Sequence, residues 1–158
     1  GAPTNTVGGL YHLEGETVAI LGDGAVFPNQ VVVDGRVTID QPVSKMHIGL
    51  PITATFTTLP LVVEGSSTGG PSFAKNVTKA WLRVNQSSGV FIGPDLGNLT
   101  EHKQRTGEPY GSPPRMADGE IEIPITGTWS RDGSISIQQR APLPLTVQSI
   151  TLEVALGR

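Results

Sequence analysis

Apolar and polar side chains alternate along most of the chain, which is the pattern of half-buried β-strands. Between residues 120 and 126, Ile121, Ile123 and Ile125 alternate with Glu, Pro and Thr, so the isoleucines should face a core. No window shows apolar residues at the i, i+3, i+4 and i+7 positions of an amphipathic helix. The pattern predicts strands at residues 16–21, 31–33, 37–39, 45–50, 52–63, 75–85, 120–126, 134–138 and 145–156.

Two of these strands change phase along their length. In residues 52–63 the apolar side chains move to the other face between Phe56 and Leu59, and in residues 145–156 a similar shift follows Val147. A one-residue slip turns every later side chain to the opposite face. We therefore expect a β-bulge or a change of sheet between Phe56 and Leu59.

Proline and Asp-Gly dipeptides mark edges and turns. Pro124 has no amide hydrogen to donate, which predicts an edge strand. Asp-Gly suits the positive φ angles of two-residue hairpin loops, and it occurs at residues 23–24, 34–35, 118–119 and 132–133. The best hairpin candidate is Asp34-Gly35, which two β-branched runs flank. We also expect residues 134–138 to pair back across Asp132-Gly133.

These features predict an all-β protein without substantial helix, and its 20 Gly and 13 Pro residues agree with short strands and many turns. Residues 1–9 are expected to be a linker or a tag remnant, and residues 10–50 a small barrel-like β module. Residues 51–158 are expected to form a β-sandwich whose C-terminal strand is central. The polar segment at residues 93–117 is expected to be a long surface loop, an arm able to reach a neighbour.

Composition argues against several classes of partner. The formal net charge is −3 and the 11 Lys and Arg residues are scattered, so the chain lacks the basic patch that tight nucleic-acid binding requires. There is no cysteine, which excludes disulfides and thiolate chemistry. No apolar run approaches the length of a membrane helix, so membrane insertion is not expected.

Two candidate motifs for catalysis or metal binding are weak. Residues 65–69 fit the G-x-S-x-G pattern of a hydrolase nucleophile elbow, but Gly70 and Pro71 follow where the elbow needs a helix. A flexible loop is the preferred interpretation. His12, His47 and His102 do not occur at metal-ligand spacing, although His12 and Glu14 would share one face of a strand.

Paired acids and a tryptophan complete the candidates. Glu14 with Glu16, and Glu120 with Glu122, could form a glycosidase acid pair, but each pair alternates with apolar residues as on a solvated strand face. We therefore assign no catalytic, cofactor-binding or metal-ligating residue and expect no cofactor and no enzyme activity. Trp81 lies between two cations, where it could be an oligomer contact or a sugar-stacking platform, or be covered by the second sheet. Burial at an interface is the preferred interpretation.

Two stretches of the chain resemble a known family. They contain the blocks Leu-Glu-Gly-Glu at residues 13–16 and Pro-Leu-Pro-Leu-Thr-Val at residues 142–147. The other matching segments are residues 9–24, 33–39, 47–51, 105–108, 111–114, 127–133 and 152–154. Together they are similar to the C-terminal region of tail proteins from short-tailed phages and prophages, of the nozzle or stabilisation (tail tubular protein B-like) kind.

That resemblance implies a non-catalytic structural component of a bacteriophage tail. It implies a homo-oligomeric ring, commonly a hexamer, in the full-length protein, together with contacts to other tail proteins. The expected location is the virion, after synthesis in the bacterial cytoplasm. In that family the matching region follows a larger domain, so the chain is expected to be part of a longer protein.

Two other functions remain open at the level of sequence. The first is a carbohydrate-binding or adhesion β-sandwich that contacts host polysaccharide, which would need clustered exposed aromatic side chains. The second is an accessory domain of a depolymerase, which would need two carboxylates in one cleft at glycosidase distance.

Overall fold

The structure is a computed structural model that describes residues 2–62, 73–102 and 107–157, and within them the chain is almost entirely β. The predicted all-β class is therefore confirmed. The described residues include no helix long and apolar enough to cross a bilayer. The chain divides into two compact units.

The first unit contains Gly1–Thr53, Gln104–Arg115 and Arg140–Leu143. Its elements are β1 (Thr4–Val7), a 3₁₀ turn (Tyr11–Leu13), β2 (Thr17–Gly22), β3 (Ala25–Val31), β4 (Val37–Val43) and β5 (Met46–Gly49). Its core consists of buried aliphatic residues and one phenylalanine: Val18, Ile20, Ala25, Phe27, Val32, Val37, Ile39 and Val43.

The described strands of this unit form two sheets, in the orders β3–β2–β5 and β1–β4, and they do not close into the expected barrel. The reason is that β4 pairs with the N-terminal β1, antiparallel, rather than with its neighbours in sequence. Residues 4–7, which were expected to be part of a linker, are therefore a strand.

The two Asp-Gly turns of this unit have the conformation that was predicted. Asp23 and Gly24 have φ angles of 47° and 83°, and Asp34 and Gly35 have φ angles of 51° and 63°. The first turn joins β2 to β3, which pair antiparallel. The second turn closes only a single bridge, Val33 to Arg36, because β3 pairs with β2 and β4 pairs with β1. The turn predicted at Asp34-Gly35 is therefore present, but the prediction that its two flanking runs pair as a hairpin is wrong beyond this bridge.

Part of the predicted 93–117 arm folds back onto the first unit. The Tyr110 ring packs edge-on against Phe27, with 6.4 Å between ring centroids. Burial, followed by the nearby Asp40 carboxylate, raises the pKa of Tyr110. A side chain at Gly24 would meet Pro113 at 3.2 Å. In this part of the segment, aromatic packing ties the chain to its own first unit instead of leaving an extended arm.

The second unit contains Ala54–Lys103, Met116–Gln139 and Pro144–Arg158. Its strands are β6 (Ala54–Thr57), β7 (Lys75–Ser87), β8 (Val90–Gly93), β9 (Thr100–Glu101), β10 (Ala117–Pro124), β11 (Ser136–Gln139) and β12 (Val147–Leu156). They form two antiparallel sheets, in the orders β10–β7–β12 and β6–β11–β8–β9.

The two sheets share one apolar core, as in a β-sandwich. The buried members are Val77, Ala80, Leu82, Val84, Val90, Ile92, Ile123, Ile125, Ile135 and Ile137. The alternation predicted for residues 75–85 and 120–126 is confirmed, because Ala80, Leu82 and Ile123 are buried whereas Glu120 and Glu122 are exposed.

Strand order in this unit agrees with one expectation and corrects two. β10, which contains Pro124, is an edge strand as predicted. β12 is the other edge and β7 is central, so the prediction of a central C-terminal strand is wrong. β11 pairs with β6 and β8 rather than back across Asp132-Gly133. Thr58 explains part of this choice, since it binds Ile135 through both its amide and its hydroxyl group.

The predicted phase changes have different outcomes. The register of β12 on β7 shifts between Val147 and Ser149, which is the bulge behind the phase change seen in the sequence. β6 ends at Thr57, so the phase change after Phe56 coincides with the end of a strand. Residue 63, the last of that predicted strand, lies outside the described residues.

Candidate functional site

The motifs considered for catalysis or metal binding do not converge in the described part of the chain. Residues 65–69, the possible nucleophile elbow, lie outside the described residues. His12 is in the 3₁₀ turn and His47 is in β5. His102 follows β9, and burial lowers its pKa. Among the described residues, no group of three or more His, Asp or Glu side chains could hold a metal ion.

Glu14, one of the paired acids, binds a turn of its own chain. Its carboxylate accepts hydrogen bonds from the amides of Asp34 (2.9 Å) and Gly35 (2.6 Å). These amides belong to the Asp-Gly turn with positive φ angles. Glu14 therefore stabilises a turn whose flanking residues form only one β-bridge. Glu16, the other member of the pair, is exposed. His12 and Glu14 belong to the 3₁₀ turn and its cap, not to one strand face as was expected.

Asp23 has the same role at the other end of this unit. Its two carboxylate oxygens each accept a hydrogen bond of 2.8 Å, from the amides of Ser44 and Lys45. The Asp23 amide in turn donates to the Lys45 carbonyl oxygen at 2.8 Å. One side chain at the β2–β3 turn therefore holds the connection between β4 and β5.

Asp118 repeats the arrangement in the second unit. Its carboxylate accepts hydrogen bonds from the backbone amide (2.8 Å) and the side-chain amide (2.6 Å) of Gln86. Gln86 has a φ of 45° and Gly119 a φ of 96°, and the register of β10 on β7 shifts between Ala117 and Gly119. The Asp118-Gly119 dipeptide is therefore part of a β-bulge, not the hairpin turn that was expected.

The outer face of the sheet β10–β7–β12 carries a group of interacting polar and aromatic side chains. Trp81, on the central strand, donates from Nε1 to Glu122 Oε2 at 3.2 Å. Lys79 Nζ is 2.8 Å from Glu122 Oε1 and 5.4 Å from the centre of the Trp81 ring. We call Lys79, Trp81 and Glu122 the indole cluster. Trp81 is partly exposed and lies on the face opposite to that of the buried Leu82.

Electrostatics within the indole cluster favour the ion pair. The hydrogen bond from Lys79 is the main cause that lowers the pKa of Glu122 below its ordinary 4.5. The same hydrogen bond is the main cause that raises the pKa of Lys79. Both groups are exposed to solvent, so the pair orders the surface more than it stabilises the fold.

Acidification should break the indole cluster. Because the folded-state pKa of Glu122 is depressed, its contribution is present at neutral pH and is lost as the pH falls through that pKa, below 4.5. In a Trp129→Phe background, the fluorescence of Trp81 should change in this range, and Glu122→Gln should abolish the change. A transition that persists unaltered with Glu122→Gln would contradict the assignment.

An open groove of about 330 Å³ in the first unit is lined by Phe27, Pro28, Gln30, Thr38, Ile39 and Asp40. Among these lining residues Asp40 alone has an acidic or basic side chain, so the groove presents no acid pair and no nucleophile with a base.

The sequence matches no protein-family model and no curated protein. Function therefore has to be inferred from the residues themselves. In each candidate acid pair one carboxylate is held by its own chain: Glu14 binds the Asp34-Gly35 turn and Glu122 binds Lys79 and Trp81.

Two features of the second unit were missed at the level of sequence. Lys75 is only 1% exposed, and its ammonium group donates to the carbonyl oxygen of Arg131 at 2.6 Å. Its position in phase with the buried Val77 was the available signal. The second missed feature is the exposed edge of β12, which alternation alone could not distinguish from a central strand.

Proposed function

We propose that this chain is a non-catalytic structural component of a bacteriophage tail, of the nozzle or stabilisation kind. It acts by self-assembly and by attachment to other tail proteins, in a ring within the full-length protein. Its place is the virion, after synthesis in the bacterial cytoplasm. Two grounds support the proposal: the resemblance of the sequence blocks to that family, and one observation in the fold.

That observation is that four acidic side chains form hydrogen bonds within their own chain. Glu14, Asp23 and Asp118 each accept two hydrogen bonds from their own chain. Glu122 binds Lys79 and Trp81. A carboxylate whose oxygens hold turns is poorly placed to exchange protons with a substrate, whereas rigid turns suit a protein that must keep its shape in an assembly.

The surface charge is compatible with a conduit for DNA. A formal net charge of −3 gives a mildly acidic protein. Such a protein repels phosphate and does not retain DNA that passes it.

Mass spectrometry of purified virions, from a culture whose phage or prophage encodes the chain, tests the proposal. The chain should be found in the particles, and an antibody against it should label the tail by electron microscopy. Virions that lack the protein would overturn the proposal, whatever its behaviour in isolation.

One observation favours a second candidate, a carbohydrate-binding module. Trp81 is partly exposed on a flat sheet face between Lys79 and Arg83, with Glu122 beside it. Aromatic rings with polar neighbours can stack on sugar rings. Trp129, which is 56% exposed, provides a matched control. On a glycan array the structural proposal expects no binding, and binding that Trp81→Ala abolishes and Trp129→Ala preserves would favour the second candidate.

A further inference from the structure

The two edges of the sheet β10–β7–β12 differ in how they are protected. β10 carries Asp118, Glu120 and Glu122, a bulge at Gly119 and the edge proline Pro124. Charges, bulges and proline are the devices that prevent an edge strand from pairing with another chain. β10 is therefore a protected edge.

β12 has fewer of these devices. It has a bulge at Gln148 near its start, one charged side chain, Glu153, and no proline in its ten residues. Its apolar side chains Ile150, Leu152 and Val154 are only partly buried, and Leu156 is 52% exposed. Among the described strands it pairs with β7 alone. A long apolar edge of this kind is a template for a further strand.

We propose that β12 pairs antiparallel with the β12 of a second copy of this chain, with the two-fold axis at Thr151. In this register Thr151 faces the partner's Thr151, and Ile150 faces the partner's Leu152 on the core side. The apolar pairs would extend the sandwich core across the contact, and a direct Thr–Thr pair is favourable.

Charges on the outer face of the sheet favour a second copy of this chain as the partner of the β12 edge. Arg83 forms no ion pair with any described residue, and in its sheet it lies between Glu120 on β10 and Ser149 on β12. Pairing about Thr151 places the partner's Glu153, whose carboxylate also accepts a hydrogen bond of 2.7 Å from Thr78 of its own chain, next to Ser149. Arg83 and the partner's Glu153 are then two strands apart, roughly 10 Å between Cα atoms. Extended Arg and Glu side chains can span this distance across a small serine, and symmetry makes the contact twice.

Neighbouring registers lack this complementarity. An axis at Glu153 would place the two glutamates directly opposite each other, which is destabilising. An axis at Leu152 would place the partner's Glu153 beside Thr151, in the row of Trp81 and Glu122. That arrangement places two carboxylates in one row and puts no acidic side chain of the partner beside Ser149, next to Arg83.

The pairing rests on the self-assembly part of the proposed function and makes it specific. Both copies use the same strand, so the contact is isologous and produces pairs of chains. A closed ring would need a second, different surface in addition.

Cysteine cross-linking tests the register, since the native chain has no cysteine to interfere. Directly opposed residues of antiparallel strands have Cα separations of about 4.5–5.5 Å, within the range for a disulfide. Thr151→Cys should form disulfide-linked dimers under mild oxidation. Ser149→Cys and Glu153→Cys should each cross-link poorly alone and well when mixed. Glu122→Cys, on the protected edge, is the matched control. Equal cross-linking at all positions, or none at Thr151→Cys, would overturn the pairing.

A charge exchange tests the contact without cysteine. Arg83→Glu and Glu153→Lys should each weaken self-association about tenfold, through two symmetric ion pairs. The double variant should recover most of the loss, and Arg36→Glu with Glu16→Lys, at exposed residues of the first unit, serves as the control exchange. A double variant no better than the single ones would count against the proposed contact.

The outcomes separate this inference from the proposed function. Virions that contain the protein, together with a failed cross-link at Thr151→Cys, would end the inference and leave the tail assignment standing. A register-specific cross-link with no protein in virions would support the pairing and end the tail assignment.

Discussion

Replacement of Lys75 by alanine should lower the free energy of unfolding of the second unit by about 3 kcal/mol. The side chain is buried, and its ammonium group donates to the carbonyl oxygen of Arg131 at 2.6 Å. Its methylene groups pack against Gly133, where an added Cβ would lie 3.0 Å from Lys75 Cβ and Cδ. Alanine removes this packing and leaves a carbonyl group of the 130–133 loop without its donor.

Urea unfolding followed by tryptophan fluorescence measures this loss, because Trp81 and Trp129 both belong to the second unit. Lys75→Met keeps most of the packing and removes the charge, so it should have a smaller effect, or even a neutral one. Lys79→Ala, on the same strand but at the surface, is the control and should change stability by less than about 1 kcal/mol. If Lys75→Ala and Lys79→Ala unfold alike, the buried lysine is not what holds the 130–133 loop.

Replacement of Asp23 by alanine should lower the stability of the first unit by about 3 kcal/mol. Two causes add. The amides of Ser44 and Lys45 lose a charged acceptor at 2.8 Å each, and alanine must adopt the left-handed φ of 47° that Asp23 has. Asparagine tolerates this φ and keeps one acceptor oxygen.

The series Asp23→Asn, Asp23→Gly and Asp23→Ala should therefore be ordered by increasing loss. Glycine, like alanine, removes both hydrogen bonds, but it adopts the positive φ without strain. The difference in stability between Asp23→Gly and Asp23→Ala is therefore the conformational cost alone, about 1 kcal/mol. Hydrogen exchange at the amides of Ser44 and Lys45 is the direct local readout, because both protons should exchange faster in the glycine and alanine variants and one of them in the asparagine variant. Exchange as slow as in the native chain would show that the carboxylate does not protect them.

The alternation of side chains correctly predicted which faces are buried but not which strands are neighbours. Leu82 and Ile123 are buried as expected, since a period of two fixes the face of each strand. The partner of β11 depends instead on contacts such as Thr58 with Ile135, far apart in sequence. Thr4–Val7 was missed because a short polar strand has little alternation.

The roles of the acidic residues show the same limit. Glu14 was recognised as one of a pair of acids, yet its role depends on a turn some 20 residues away. Asp23 and Asp118 were recognised only as parts of Asp-Gly dipeptides. Asp-Gly predicts a turn, but the amides that these carboxylates bind lie in the β4–β5 connection and on β7, and they can be identified only in the fold.

Light scattering of the 158-residue chain, from low micromolar to near-millimolar concentration, tests most directly whether the protein works by association. The mass should rise from 16.6 kDa toward twice that value. Thr151→Lys, which places like charges at the two-fold axis, should remain at the lower value, while Thr126→Lys should behave as the native chain does. A native chain that stays at 16.6 kDa at every concentration would contradict the account.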